Sequence, residues 1–212
     1  MLSNSSAPVA ADALHVLARP AASRLRVHGQ GQPSRREVEA LVRRVYAARY
    51  QAAVHHFAPT LVSIVRDARV VAAAGYRRAA DEALFLERYL QAPVESLLLA
   101  RTGRVARREQ IFEVGHLAAV RPGAGRKLVL QLCSHLVEQG CEWVVATLTS
   151  ELRQLFVRAG VEPLLLGIAD PRVLAGEASS WGSYYDHRPM VLAAHLPRAL
   201  RQLSRSGAPR AA

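Results

Sequence analysis

The fold is decided by residues 110–148, QIFEVGHLAAVRPGAGRKLVLQLCSHLVEQGCEWVVATL. The segment opens with an almost continuously apolar run, residues 111–120, which is typical of a strand covered on both faces. After a glycine-rich turn, leucines at four-residue steps (Leu128, Leu132 and Leu136) predict an amphipathic helix that ends at Gly140. Residues 143–148 form a second buried strand, and a further amphipathic helix ending at Gly160 completes a βαβα unit.

The turn after the first strand, residues 121–127, predicts a phosphate site. Gly123 and Gly125 allow a tight turn without a Cβ in the way, so that backbone N–H groups converge on an anion. Arg126 would begin the helix there, with the positive end of its dipole facing the same anion. The expected cofactor-binding residues are therefore Arg121, Gly123, Ala124, Gly125, Arg126 and Lys127.

The remaining elements surround this unit in a recognisable order. A helix is predicted from Ser34 to about Val54, and two apolar runs, residues 60–65 and 70–76, predict a β-hairpin. Short helices are expected at 81–90 and 93–100, and later strands at 163–168 and 190–196. This order predicts an α/β fold with a mixed, twisted sheet flanked by helices.

Length and composition favour one domain. A chain of 212 residues, half of them apolar, suffices for one proper core. We expect a flexible leader at residues 1–33, the folded domain at 34–203 and a disordered tail at 204–212. Cys133 and Cys141 lie near His135, but three candidate ligands without closed-site spacing are better explained as core thiols, so no metal is expected.

Charge and hydropathy limit the location and the partners. The chain has 27 arginines and one lysine, and its formal net charge is +11, which attracts acidic partners. A solvated surface that reflects coding bias is the alternative. Nucleic acid is not expected, because no recognition motif accompanies the charge. With no signal peptide and no membrane-spanning run, we expect a cytoplasmic protein. Two arginine clusters stand out: Arg35, Arg36, Arg43, Arg44 and Arg49, and Arg101, Arg104, Arg107 and Arg108.

The order of elements resembles the acyl-CoA N-acyltransferase (GNAT) fold. Four motifs in the same order are similar to the thermostable hemolysin family: ALFLERYL at 83–90, PVE at 93–95, EVGHLA at 113–118 and WGSYY at 181–185. The resemblance covers about residues 40 to 195. The family name implies lysis of blood cells, whereas the fold relationship implies a scaffold similar to N-acyltransferases and acyl-homoserine-lactone synthases, and we give the second more weight.

The resemblance implies transfer of an acyl group from a phosphopantetheine thioester to the amine of a small molecule such as an amino acid. Acyl carrier protein or CoA would be a cosubstrate, with no tightly bound cofactor, and the positive surface favours the acidic carrier. Two departures from the acyltransferase pattern leave alternatives open. Val120 stands where the pattern has Gln or Arg, and Phe156 stands where many relatives have a Tyr that protonates the leaving thiolate. The departures are consistent with a binding module that has lost catalysis, and the family name suggests a membrane-active protein as the other alternative.

Glu113 and His116 are the predicted catalytic residues. An amine must lose a proton to attack a thioester, and Glu113, alone in an apolar strand, should have a raised pKa that suits a general base. Alternatively it pairs with an arginine such as Arg77 or binds the substrate ammonium. Strand alternation puts His116 on the opposite face, unless a bulge at Gly115 intervenes.

The predicted substrate-binding residues come from three other segments. Glu87 and Glu95 lie in short helices over the presumed acceptor side, although carboxylates on helix surfaces are commonly just solvated. Trp181, Tyr184 and Tyr185 would line an acyl or acceptor pocket, because aromatic side chains offer apolar area with a polar group. Packing of the core or of a loop is the alternative for these three residues.

Overall fold

A computed structural model describes residues 24–158 and 160–205, in which seven strands form one mixed sheet. Their order across the sheet is β1-β2-β3-β4-β5-β7-β6. The central pair, β4 and β5, is parallel, and the other neighbouring pairs are antiparallel. The strands are β1 Leu25–His28, β2 Thr60–Arg66, β3 Arg69–Arg78, β4 Ile111–Ala119, β5 Trp143–Leu148, β6 Leu164–Ile168 and β7 Met190–His195.

Helices cover both faces of the sheet. They are α1 Arg35–Tyr50, α2 Val94–Thr102, α3 Ala124–Glu138, α4 Ser150–Arg158 and α5 Leu196–Arg205. The 3₁₀ segments are Phe85–Tyr89, Arg108–Gln110, Pro171–Trp181, which is kinked at Ala175, and Tyr184–His187. Strand alternation divides the core, because Ala73 of β3 packs with α1 whereas Ala72 and Ala74 pack with α3.

The β2–β3 hairpin is present where the sequence predicts it. Its turn consists of Asp67 and Ala68, with φ of 51° and 57°, and Arg66 faces Arg69 across it. Two central residues with positive φ make a type I′ turn, whose twist matches that of the flanking strands.

Several boundaries differ from the sequence-based expectations. The edge strand β1 lies inside the expected leader, because four residues that pair with β2 about 35 positions later leave little local signal. Helix α1 ends at Tyr50 rather than near Val54, since Gln51 adopts a left-handed conformation with φ 56°. Helix α3 begins at Ala124, two residues before Arg126. The rest of the expected leader, 1–23, and residues 206–212 lie outside the described residues, while α5 continues through Arg205.

A β-bulge interrupts β4 at the point where the sequence analysis allowed one. Ala73 pairs with Ala118 and Gly75 pairs with Gly115, so two steps along β3 face three steps along β4. The extra residue is accommodated at His116, whose φ is 55°. The neighbouring strand needs glycine, because a Cβ on Gly75 would lie 2.9 Å from the Ala58 Cβ and 3.0 Å from His116 Nδ1.

Candidate functional site

The two parallel central strands separate after three paired positions. Pairing of β4 with β5 runs from Ile111 and Trp143 to Glu113 and Val145, and it stops there. The remainder of β4 carries the bulge and leads into the glycine turn before α3. The divergence therefore opens a cleft in the middle of the sheet, toward the turn that the sequence analysis assigned to a phosphate.

An aromatic chamber lies on the α1 side of this cleft, with a volume of about 270 Å³. Glu113 and His116 both line it, because the bulge brings to one side two residues that regular alternation would separate. Thr147 of β5 lines it as well, and its buried hydroxyl has no hydrogen-bond partner among the described residues. The aromatic side chains of the wall are those of Tyr46, Tyr50, Phe85, Tyr89, Trp181, Tyr184 and Tyr185.

A second cavity, the apolar chamber, lies on the α3 side and encloses about 80 Å³. Its wall is almost entirely aliphatic and includes Leu132 and Leu136 of α3 together with Phe156 of α4. Val114 and Leu117 of β4 line both chambers. The two cavities therefore face each other across the separated strands.

Glu113 is a buried carboxylate with three donors around it. Phe85 N–H donates to Oε2 at 2.8 Å, and Leu86 N–H donates to Oε1 at 3.1 Å. Arg77 Nε lies 3.3 Å from Oε2, so the ion pair that the sequence analysis held as the alternative is present. Burial raises the pKa of Glu113, and Arg77 and the two N–H groups oppose that rise. The carboxylate is therefore held in one orientation, and its negative charge is partly compensated by these donors. Its raised pKa makes it a stronger base than a solvated carboxylate.

His116 is held against the chamber wall. Its Nε2 lies 3.1 Å from the carbonyl oxygen of His56, which can only accept, so Nε2 carries the proton. Nδ1 then presents a buried lone pair that has no hydrogen-bond partner within residues 24–158 and 160–205, and it faces Gly75. Burial lowers the pKa of His116 to about 4. At neutral pH the ring is therefore uncharged, and its hydrogen bond joins the bulge to the segment after α1.

Glu87 and Glu95 do not line the aromatic chamber. Arg108 binds both, with Nη1 2.8 Å from Glu87 Oε1 and 2.7 Å from Glu95 Oε2. Glu87 also accepts N–H bonds from Leu84 and Val94, at 3.1 Å each. Burial by itself would raise the pKa of Glu87, but the hydrogen bonds from Arg108 and from the backbone outweigh burial, so the pKa is lowered. The geometry gives these carboxylates a bracing role between the Phe85–Tyr89 turn and α2.

Trp181, Tyr184 and Tyr185 lie together in the chamber wall, and all three belong to a segment that covers it. We call residues 171–187 the roof segment. Tyr184 stacks on Tyr46 with ring centroids 6.5 Å apart, and its hydroxyl donates to Thr147 O at 3.2 Å. The hydroxyl of Tyr185 lies 2.6 Å from that of Tyr89.

The other half of this aromatic wall was missed by the sequence analysis. Tyr46 and Tyr50 are four residues apart on α1 and bury the same face of that helix, a spacing that was available as a signal. Phe85 and Tyr89 are likewise four residues apart, but in a 3₁₀ turn. Thr147 gave no signal, because a single threonine in a buried strand is common.

The glycine turn precedes α3 as expected for an anion site. Gly123 has φ 75°, and α3 follows with fifteen residues. The first N–H groups of a helix have no partner within it and point outward along the axis. Arg121 Nη1 lies 3.3 Å from Asp67 Oδ2, and both Arg121 and Arg126 are exposed. The predicted residues 121–127 thus lie together beside the β2–β3 hairpin, and none of them lines either chamber.

Three further properties concern metal ligands, membrane-spanning helices and cysteines within residues 24–158 and 160–205. Within them, no three histidine, cysteine, aspartate or glutamate side chains are grouped in a way that could hold a metal ion. The same residues contain no helix long and apolar enough to cross a bilayer. Cys133 and Cys141 are free thiols, and Cys141 is buried.

The sequence profile of the family described as "Thermostable hemolysin" matches residues 28–200. A search of curated protein sequences finds no match.

Solved structures share the fold at low sequence identity. FeeM, an N-acyl amino acid synthase from uncultured soil microbes, superimposes with a TM-score of 0.60 at 14% identity, over 87% of this chain and 97% of FeeM. BjaI, a CoA-dependent acyl-homoserine lactone synthase, superimposes with a TM-score of 0.59 at 15% identity, over 88% of this chain and 90% of BjaI. TofI in an apo form superimposes with a TM-score of 0.55 at 16% identity, over 84% of this chain and 96% of TofI. The GNAT-like fold predicted from the sequence is thereby confirmed.

Proposed function

The chain belongs to the thermostable hemolysin family, and we propose that it is an N-acyltransferase. It would move an acyl group from a phosphopantetheine thioester, carried by acyl carrier protein or CoA, to the amine of a small molecule such as an amino acid. The observation that carries this proposal is the cleft between β4 and β5, with one chamber on either side of the sheet and a glycine turn that follows β4. The shared fold with FeeM and BjaI supports it.

Each part of the cleft suits one part of the substrates. The N-terminus of α3 would hold the phosphate of the pantetheine arm, because its N–H groups and dipole favour an anion. The arm would then enter between the strands, and the apolar chamber would receive a fatty acyl chain. The aromatic chamber, with Glu113 in its wall, would receive the amine. The thioester carbon would thus lie beside the bulge of β4.

The reaction forms a C–N bond and breaks a C–S bond. The amine nitrogen attacks the thioester carbon, its proton passes to Glu113 directly or through one water, and the thiolate then leaves. The raised pKa of Glu113 favours proton acceptance near neutrality. Phe156 has no proton to give and packs in the apolar chamber wall. A thiol with a reference pKa of about 8.5 would leave as the thiolate and take a proton from water.

The experiment that tests the proposal measures thiol release by the full chain. Octanoyl carrier protein and octanoyl-CoA are each mixed with a panel of amino acids and other small amines, and free thiol is followed with a chromogenic disulfide. Amine-dependent release is expected from at least one thioester. In parallel, dye-loaded vesicles report membrane lysis, which is the activity that the family description suggests. Vesicle leakage without thiol release would overturn the proposal, and binding of a thioester without release would indicate a binding module.

A further inference from the structure

Two turns, the glycine turn before α3 and the turn of the β2–β3 hairpin, bring basic side chains together. The backbone N–H of Val120 donates to the carbonyl of Val71 at 3.0 Å, so the segment after β4 runs beside the β2–β3 hairpin. Arg121 also contacts Asp67 in the hairpin turn, at 3.3 Å. We call the resulting group the hairpin patch; its members are Arg66, Arg69, Arg121, Arg126 and Lys127.

The hairpin patch has the composition of a protein interface. Four of its five basic residues are exposed, and Lys127 is half-buried. Val120, between the two turns, is 44% exposed although it is apolar. Interfaces commonly have an apolar centre inside a charged rim, and charge complementarity speeds the encounter of the partners.

Some arginines of the two clusters named in the sequence analysis are engaged in contacts within the fold. Arg35 is buried and donates to the carbonyl oxygens of Ala58 and Pro59, at 2.7 Å each. Arg108 is bound between Glu87 and Glu95. Arg101 and Arg104 remain exposed, but they precede β4 and so lie toward the end of that strand opposite the hairpin patch. Arg36 and Arg44 of α1 are also exposed, but the basic surface that adjoins the glycine turn is the hairpin patch.

We propose that the hairpin patch is the docking surface for an acidic acyl carrier protein, an inference that rests on the proposed function. The phosphate of a carrier's pantetheine arm is esterified directly to a serine on the carrier. If that phosphate lies at the N-terminus of α3, the surface of the carrier must contact the residues around the glycine turn. The hairpin patch spans two turns and surrounds an exposed valine, which is a wider surface than a phosphate alone requires.

The test compares two double variants of equal charge change. In Arg66→Glu/Arg69→Glu the charge of the hairpin patch is reversed at its edge, away from the residues that would hold the phosphate. In Arg101→Glu/Arg104→Glu the same change is made in the other cluster. Both pairs are exposed, so folding should be retained, which circular dichroism and the thermal midpoint verify. Each protein is assayed with octanoyl carrier protein, octanoyl-CoA and uncharged octanoyl-pantetheine.

For Arg66→Glu/Arg69→Glu we expect KM for octanoyl carrier protein to rise at least tenfold with kcat unchanged. Turnover of octanoyl-pantetheine should be unaltered, and KM for octanoyl-CoA should change less than threefold. The control should resemble the wild type. An equal loss with octanoyl-CoA would overturn the docking proposal, because the patch would then recognise nucleotide phosphates. Wild-type turnover of octanoyl-CoA without turnover of the carrier would overturn it as well.

A binding measurement separates this inference from the proposed function. Fluorescence anisotropy of a labelled holo-carrier, titrated with the wild type and with both variants, needs no turnover. Tenfold weaker binding by Arg66→Glu/Arg69→Glu alone supports the docking surface, even if no thioester is consumed by any form. Equal binding by all three proteins, or no binding by the wild type, overturns it. Failure of thiol release with every thioester would overturn the proposed function alone.

Discussion

At the scale of single residues, Glu113 shows how a carboxylate with structural contacts can still keep the capacity to act as a base. Its oxygens accept two backbone N–H bonds from the Phe85–Tyr89 turn and contact Arg77. Each carboxylate oxygen has two lone pairs, so Oε1, with one donor, keeps capacity to accept a proton. The sequence analysis weighed the base and the ion pair as alternatives, whereas the geometry accommodates both.

We predict that Glu113→Gln lowers kcat/KM at neutral pH by about 10²–10⁴-fold, the usual contribution of a general base. In the wild type, the rate should increase with pH through a pKa above that of a solvated glutamate, because burial raises the pKa of Glu113. This acid limb should be absent from the variant. Steady-state rates between pH 4 and pH 8 provide the measurement.

Glu95→Gln is the matched control for that variant, since Glu95 contacts Arg108 outside both chambers. It should keep the wild-type pH profile. If Glu113→Gln retained both its rate and its acid limb while remaining folded, Glu113 would not be the base.

His116 makes a prediction about stability rather than rate. Burial lowers its pKa from 6.5 to about 4. Between these two pH values, His116 is therefore protonated in the unfolded chain and neutral in the folded chain. Its stabilising effect is complete above pH 6.5 and is lost as the pH falls toward 4. Asparagine tolerates the positive φ of this position.

In His116→Asn, the loss of unfolding free energy between pH 7 and pH 4.5 should therefore be smaller than in the wild type, by about 1–3 kcal/mol. Urea unfolding at the two pH values gives the comparison. An identical loss in both proteins would show that His116 does not titrate as its surroundings indicate.

At the scale of elements, the roof segment depends on a glycine at its contact with α1. Gly182 has φ 51°, and a Cβ there would lie 2.1 Å from the carbonyl oxygen of Tyr50. The same carbonyl accepts the N–H of Ser183 at 2.8 Å. The roof segment is thus attached to the end of α1 by backbone contacts that leave no room for a side chain.

We predict that Gly182→Ala lowers the free energy of unfolding by at least about 2 kcal/mol, because it combines a clash with backbone oxygen and a strained φ. Gly176→Ala, in the same segment, is the control, since a Cβ at Gly176 meets no atom within 4 Å. Thermal or denaturant unfolding measures both. A control that is destabilised as much as Gly182→Ala would contradict this account of the roof.

The sequence predicted the regular elements better than the irregular ones. The apolar run of β4 and the leucine spacing of α3 are local signals that tertiary contacts reinforce. The roof segment has no such periodicity, and its kink at Ala175 has φ 48°, so nothing local indicated that it would cover a chamber. The motif at 181–185 was found through family resemblance, and its packing on Tyr46 was not.

At the scale of the whole molecule, the bulge and the strand separation explain why the site was only partly predictable. Glu113 and His116 were identified as neighbours in sequence, but their shared chamber depends on a register shift against β3. Glu87 and Glu95 were assigned to substrate because they lie in predicted short helices over the presumed acceptor side, whereas Arg108 pairs with both. Such pairings depend on the completed fold and leave no local pattern.

The apolar chamber provides a prediction about substrate length. Ala146 lies in its wall on β5 and is buried, so Ala146→Leu should reduce the volume available to an acyl chain. We expect KM for a dodecanoyl thioester to rise about tenfold or more and KM for a butanoyl thioester to change little, because displacing one methylene from an apolar pocket costs about 1–3 kcal/mol. Equal effects on both chain lengths would place the acyl chain elsewhere.

The most direct test of the central claim, acyl transfer through a cleft between two chambers, is the ratio of amide product to released thiol. Purified full chain, an octanoyl thioester and a primary amine that supports thiol release are incubated, and mass spectrometry quantifies both products. The account predicts one N-octanoyl amide for each thiol. Thiol without amide, or no product from any thioester while the protein remains folded, would contradict it.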